Sequence, residues 1–206
     1  MTAELGADER RRLRVIGLTL AWFTIAWNVV EAIVAISAGA ATSSTALIGF
    51  GIDAVIEVAS ASVVVWQFTG ELRGGYDEGR ERLALRLIAV TFFLLAGYVT
   101  YEALRDLFGV NEPEHSTAGI VLAIASVIVM PVLAVAKRRT SERLGSPTLR
   151  ADSRETLLCS WLSVALLAGL VLNSWLGWWW ADPLAAIVIG GFAVSEGVEA
   201  WRGDDD

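Results

Sequence analysis

Two pairs of residues at four-residue spacing carry the chemistry available to this chain. Asp53 and Glu57 lie in Ala46-Leu-Ile-Gly-Phe-Gly-Ile-Asp-Ala-Val-Ile-Glu-Val-Ala-Ser60, and Glu155 and Cys159 lie in Ala151-Asp-Ser-Arg-Glu-Thr-Leu-Leu-Cys-Ser160. On a helix that spacing puts both members of a pair on one face, a turn apart. Two carboxylates so placed repel unless a cation or protons sit between them. Carboxylate oxygen and thiolate suit tetrahedral zinc; sulfur disfavours magnesium and calcium and leaves manganese, iron, cobalt and cadmium open. Cys159 alone would mean little, because free cysteines are common small buried hydrophobes. Its weight comes from Glu155.

The elements that must position these groups follow from composition. The chain has 206 residues, 55% hydrophobic and only 19% charged, with nine Trp and a net charge of −7; mean hydropathy is +0.56. A soluble domain carries about 25% charged residues, so this is a membrane composition. The negative charge excludes a nucleic-acid-binding domain, which needs a basic face for phosphate. One cysteine makes no internal disulfide. A bilayer core of about 30 Å requires roughly 20 apolar residues per helix, and six such windows occur: Val15 to Ser37, Thr45 to Phe68, Arg86 to Phe108, Ala118 to Ala136, Ala151 to Leu176 and Pro183 to Ala200. The expected fold is all-α, a polytopic bundle of six transmembrane helices over residues 15–202. A mobile cytosolic N-terminus, 1–14, precedes it and an acidic tail, 203–206, follows it. The basic N-terminal cluster is not a signal peptide, because the apolar run behind it is too long for one and is interrupted by Asn28 and Glu31.

Lys and Arg mark the cytoplasmic side. Arg10, Arg11, Arg12 and Arg14 precede the first window, and Arg73, Arg80 and Arg82 follow the second. Lys137, Arg138, Arg139, Arg143 and Arg150 join the fourth to the fifth, and Arg202 follows the sixth. The opposite connections carry neither residue. Both termini are therefore expected in the cytoplasm, with Trp175, Trp178, Trp179 and Trp180 as an outer aromatic belt. The second helix then descends while the fifth ascends. Where they adjoin, Asp53 should face Cys159 and Glu57 should face Glu155, in two layers within the bilayer. An ionisable group in hydrocarbon costs roughly 2.5–3.5 kcal/mol or more, which makes each a functional hypothesis.

The segments Ala46 to Trp66 and Ala151 to Ile189, with Gly49-Phe-Gly-Ile-Asp53 and Gly177-Trp-Trp-Trp-Ala-Asp-Pro183, resemble the second and the fifth-to-sixth helices of cation diffusion facilitator transporters. The resemblance covers essentially all six spans. It implies a membrane domain that works as a homodimer in the plasma or inner membrane and exports zinc or a related divalent metal from the cytoplasm in exchange for protons. It also implies a transport site drawn from a pair on the second helix, matched by Asp53 and Glu57, and a His-x-x-x-Asp pair on the fifth, whose positions Glu155 and Cys159 occupy. Histidine is missing from that set; the one histidine, His115, falls in an outer loop. The sequence ends just after the sixth helix, where typical members continue into a cytosolic metal-binding domain.

Metal ligation needs deprotonated carboxylates and a thiolate, so metal entry should release protons and protonation should expel metal. No permanent cofactor is expected; the metal is cargo, and protons and the bilayer are the other partners. The rival readings are a membrane metal sensor or assembly protein that keeps the four residues as a staple, and a proton-coupled exporter of organic cations. An enzyme is the weakest reading, because no base accompanies Cys159 at a readable spacing. Among the remaining polar residues, Asn28, Glu31 and Asn173 are expected to hydrogen-bond between helices. Glu102, Arg105 and Asp106 should pair locally, and Glu196 and Glu199 should be solvated. Asp152 fits either a cation-attracting entrance or a helix-start position, and Asp182 before Pro183 reads as a helix start. Gly49 and Gly51 permit a bend or a close helix approach in equal measure.

Overall fold

The structure, a computed structural model, describes residues 6–42, 45–108, 117–176 and 181–203. Its elements are α1 (Ala7–Thr42), α2 (Thr45–Gly74), α3 (Glu78–Phe108), α4 (Thr117–Leu144), α5 (Pro147–Leu176) and α6 (Ala181–Arg202). All six expected helices are present, and no strand occurs among the described residues. They are longer than their apolar windows because charged turns extend them. The 30 residues of α2 span about 45 Å at 1.5 Å per residue, so its Arg73 end projects beyond a bilayer core. The boundary expected at residue 15 falls inside a continuous α1, and residues 7–14 are its first two turns. Arg14 is tied to Glu71 of α2 at 2.7 Å.

Side-chain placement is inverted relative to a water-soluble bundle. Ile128 and Val132 of α4 are 64% and 66% exposed, whereas Lys137 on the same helix and Asp152 on α5 are 0% exposed. Apolar groups outside and polar groups inside suit lipid as the surrounding solvent. Among the described residues α1, α2, α3 and α4 are long and apolar enough to cross a membrane. This is a multi-pass membrane protein.

Local signals set the turns at the arginine-rich end. Gly75 and Gly145 adopt φ of 84° and 68°, the left-handed conformation that ends a helix and that glycine reaches without a Cβ penalty. The Gly145 and Ser146 amides both return to the Ser141 carbonyl, at 2.8 and 3.1 Å. Ser146 Oγ then accepts the Leu149 amide at 3.3 Å and Pro147 opens α5, the usual cap and first-turn choices. At the start of α3, Asp77 Oδ1 accepts the Gly79 and Arg80 amides at 2.8 and 3.2 Å.

The closest helix pairs are α1 with α2, α3 with α6 and α4 with α5; α5 also touches α2, α3 and α6. It is the central helix. Phe68, Ile88, Phe92, Leu95 and Leu149 form the apolar core between α2, α3 and α5. Gly51 lets α2 approach α1 closely: a Cβ there would meet Ile36 and the Ala32 carbonyl. Close approach, of the two roles open to this glycine, is the one the structure uses.

Candidate metal centre

α2 and α5 run in opposite directions and turn one polar face each toward the bundle interior. On α2 that face carries Asp53, Glu57, Ser60, Gln67 and Glu71, all buried; on α5 it carries Asp152, Glu155, Thr156, Cys159, Ser160 and Ser163, also buried. The outermost expected contact is made. Cys159 Sγ donates to Asp53 Oδ2 at 2.7 Å, across 106 residues of sequence.

Next inward is Glu57. Its two carboxyl oxygens are buried without a well-formed hydrogen bond, with Cys159 and Thr156 as neighbouring donors. Glu155 also has a partner on a third helix. Its Oε2 accepts from Thr91 of α3 at 3.0 Å, and its Oε1 is buried without a well-formed hydrogen bond. Ser60 of α2 is a neighbouring donor to Glu155 and Glu57 is its electrostatic neighbour, so Glu155 has polar neighbours on both α2 and α3. Among the described residues no three His, Cys, Asp or Glu side chains converge tightly enough to hold one ion. Joining all four around a single cation requires their side chains to draw closer together.

Other polar residues depart from expectation in informative ways. Lys137, grouped by sequence with the arginines of a connecting segment, lies inside the bundle. Its Nζ contacts Asp152 Oδ2 at 2.8 Å and donates to Thr156 Oγ1 at 2.8 Å, while Ser60 Oγ donates to Asp152 Oδ1 at 3.1 Å. The physical reason is the tight α4–α5 turn: Lys137 stands eight residues before Gly145 and Asp152 seven after it, which brings them level on antiparallel helices. That symmetry about Gly145-Ser146-Pro147 is a signal the sequence does carry. Glu196 and Glu199, expected to be solvated, both pair with Arg154 across α5 and α6, at 2.7 and 2.5 Å. On α1, Glu31 Oε2 accepts from Ser126 of α4 at 2.5 Å and from Trp27 at 2.7 Å. Glu31 thus bonds between helices as expected, whereas Asn28 donates within its own helix, to the Thr24 carbonyl at 3.0 Å. Glu102 does not simply pair along α3; it reaches α2, where Gly49 leaves room for it and for Tyr98. His115, Trp178, Trp179, Trp180 and residues 204–206, with the side chains of Asp106, Asn173, Trp175 and Asp182, lie outside the described residues.

Six helices with buried acids facing one another across α2 and α5 invite comparison with known membrane proteins. The cation efflux transmembrane domain matches residues 21–202. The chain belongs to the cation efflux family. It is 29% identical over 162 residues to an uncharacterized transporter of Synechocystis, covering 75% of this chain and 52% of that protein. Transmembrane protein 163 of Xenopus laevis is 26% identical over 201 residues, 96% of this chain and 70% of that protein. The cation-efflux pump FieF of Shewanella oneidensis is 33% identical over 115 residues, 55% of this chain and 38% of the pump. The chain therefore spans about half the length of the Synechocystis relative and less of the pump.

Proposed function

We propose that this cation efflux domain carries a divalent transition-metal ion out of the cytoplasm in exchange for protons, with Asp53, Glu57, Glu155 and Cys159 as ligands. The observation that carries this reading is the 2.7 Å contact between Cys159 and Asp53, flanked by carboxyl oxygens of Glu57 and Glu155 that are buried without well-formed hydrogen bonds. Buried polar atoms are ordinarily satisfied, so this concentration of acceptor capacity suits an external cation or protons. The mixed oxygen and sulfur donors favour zinc or cadmium over magnesium and calcium. The similarity to a protein named as a cation-efflux pump supports the direction of transport. Family membership supports a homodimer in the cell's plasma or inner membrane.

Exchange follows from competition. A metal binds the deprotonated groups and a proton binds the same groups, so each expels the other. Proteoliposomes offered zinc, cadmium, manganese, iron or cobalt, with a pH-sensitive dye inside, test cargo and coupling together. The expected result is metal uptake with opposing proton movement. Metal binding without flux would instead indicate a sensor, and flux confined to organic cations would indicate an organic-cation exporter.

A further inference from the structure

We propose that Asp152 is a second cation station on the arginine-rich side of the metal centre, and that the Lys137 ammonium is a tethered cation that fills it and closes that side until a mobile cation displaces it. The inference rests on the transport reading above. Asp152 draws partners from two other helices onto one carboxylate: Lys137 Nζ of α4 at 2.8 Å and Ser60 Oγ of α2 at 3.1 Å. Its place is fixed. Asp152 precedes Glu155 by three residues and Thr156 by four, one helical turn toward the arginine-rich end. Glu57 stands one turn in the same direction from Asp53, and both Lys137 and Asp152 act on it electrostatically. Acidic groups therefore lead from Asp53 and Cys159 through Glu57 to Asp152.

Lys137 is the one buried cation among the described residues, and it ends that line. The groups facing it are Asp152 and Thr156 of α5 and Glu57 of α2. An ammonium on a four-carbon stem is a compact, mobile point charge. It neutralises Asp152 in an interior where an unpaired carboxylate would be costly. A divalent ion carries twice its charge and is offered the same oxygens, with Ser60 and Thr156 hydroxyls beside them. The displaced Lys137 can extend along α4 toward Arg138 and Arg139, as long basic side chains do near helix ends. A metal leaving the station returns the ammonium to it. The same pair thus receives a cation and closes behind it.

Cys159 is the chain's one cysteine and is 1% exposed, so its modification reports a water path to the centre. The test uses the full chain in oriented vesicles and a cationic, membrane-impermeant methanethiosulfonate reagent added to either side, with no metal present. The neutral pair Lys137→Met with Asp152→Asn keeps bulk while removing the attraction. It is expected to speed labelling from the arginine-rich side by about tenfold, through easier local opening, and to leave the other side unchanged. Equal acceleration from both sides, or none, overturns the proposal, because a structural staple would loosen the whole bundle or nothing. Cadmium binding supplies the second measurement. Lys137→Gln removes the tethered competitor and should bind a second cadmium ion about tenfold more tightly than the wild type, whereas Lys137→Gln with Asp152→Asn should lose that second site. An unchanged affinity for the second ion in Lys137→Gln also overturns it. A wild-type chain that binds no cadmium rejects the metal centre itself, and the labelling result still judges Lys137.

Discussion

Two buried polar regions lie along the α2–α5 seam, and they solve the same electrostatic problem differently. Toward the arginine-rich end, Asp152 has a cation of its own chain, Lys137, at 2.8 Å. Further along, Asp53 has a thiol at 2.7 Å, and Glu57 shares the field of Lys137 but has no well-formed hydrogen bond to either carboxyl oxygen. A buried charge is tolerable only when it is paired or neutralised. The first region is neutralised within the fold, while the second, on the proposed function, is left to a proton or a metal. On that proposal, the contrast separates a region that carries its own counter-charge from one whose charge state follows the cargo.

The comparison breaks first at Asp53. Asp53→Ala should reduce metal flux to background while membrane insertion is unchanged, since it removes a ligand and no apolar contact; normal flux would reject the assignment. The paired region should respond in stability instead. Lys137→Met alone leaves Asp152 charged and unpaired, a change of about 3–5 kcal/mol in soluble proteins, whereas Lys137→Met with Asp152→Asn should recover most of the loss. Unfolding in detergent measures both; equal losses would mean that the pair's charge is not what matters. Raising the pH on the metal-loaded side should tighten binding by about tenfold per pH unit for each proton displaced. The sign follows from competition, because fewer protons occupy the ligand atoms as pH rises. A flat profile in a binding titration would remove proton coupling.

Smaller effects sharpen the contrast within the unpaired region. Cys159→Ser should weaken cadmium and zinc binding relative to manganese by roughly tenfold, about 1.4 kcal/mol, because a thiolate gives way to a poor neutral oxygen ligand. An unchanged metal ranking would exclude sulfur ligation. Thr91→Val removes the hydroxyl that holds Glu155 Oε2 at 3.0 Å and leaves side-chain bulk nearly constant. With one hydrogen bond of about 1 kcal/mol gone, Glu155 is freer to turn toward Glu57. Metal affinity should rise a few-fold, and a fall would show that Thr91 positions Glu155 for binding.

Much of this architecture was legible in the sequence because lipid allows few solutions. Apolar windows of sufficient length must be helices, and the two four-residue spacings put each acidic pair on one helix face. Antiparallel order then matched Asp53 to Cys159. The hydroxyl that Thr91 of α3, a third helix, gives to Glu155 was not legible in the same way, because spacing along α2 and α5 says nothing about α3. Lys137 was misplaced for a related reason. A basic residue beside Arg138 and Arg139 reads as part of a charged connection, and its burial follows only from the close α4–α5 turn.

The sequence by itself determined that α2 and α5 carry acids and a thiol at matching depths, because helical periodicity and the length of a bilayer crossing are properties of one chain segment. Only the tertiary structure decided which of those groups touch. Asp53 meets Cys159, Glu155 turns to Thr91 and Asp152 takes Lys137, since each buried polar atom bonds to whatever neighbouring helices place within about 3 Å.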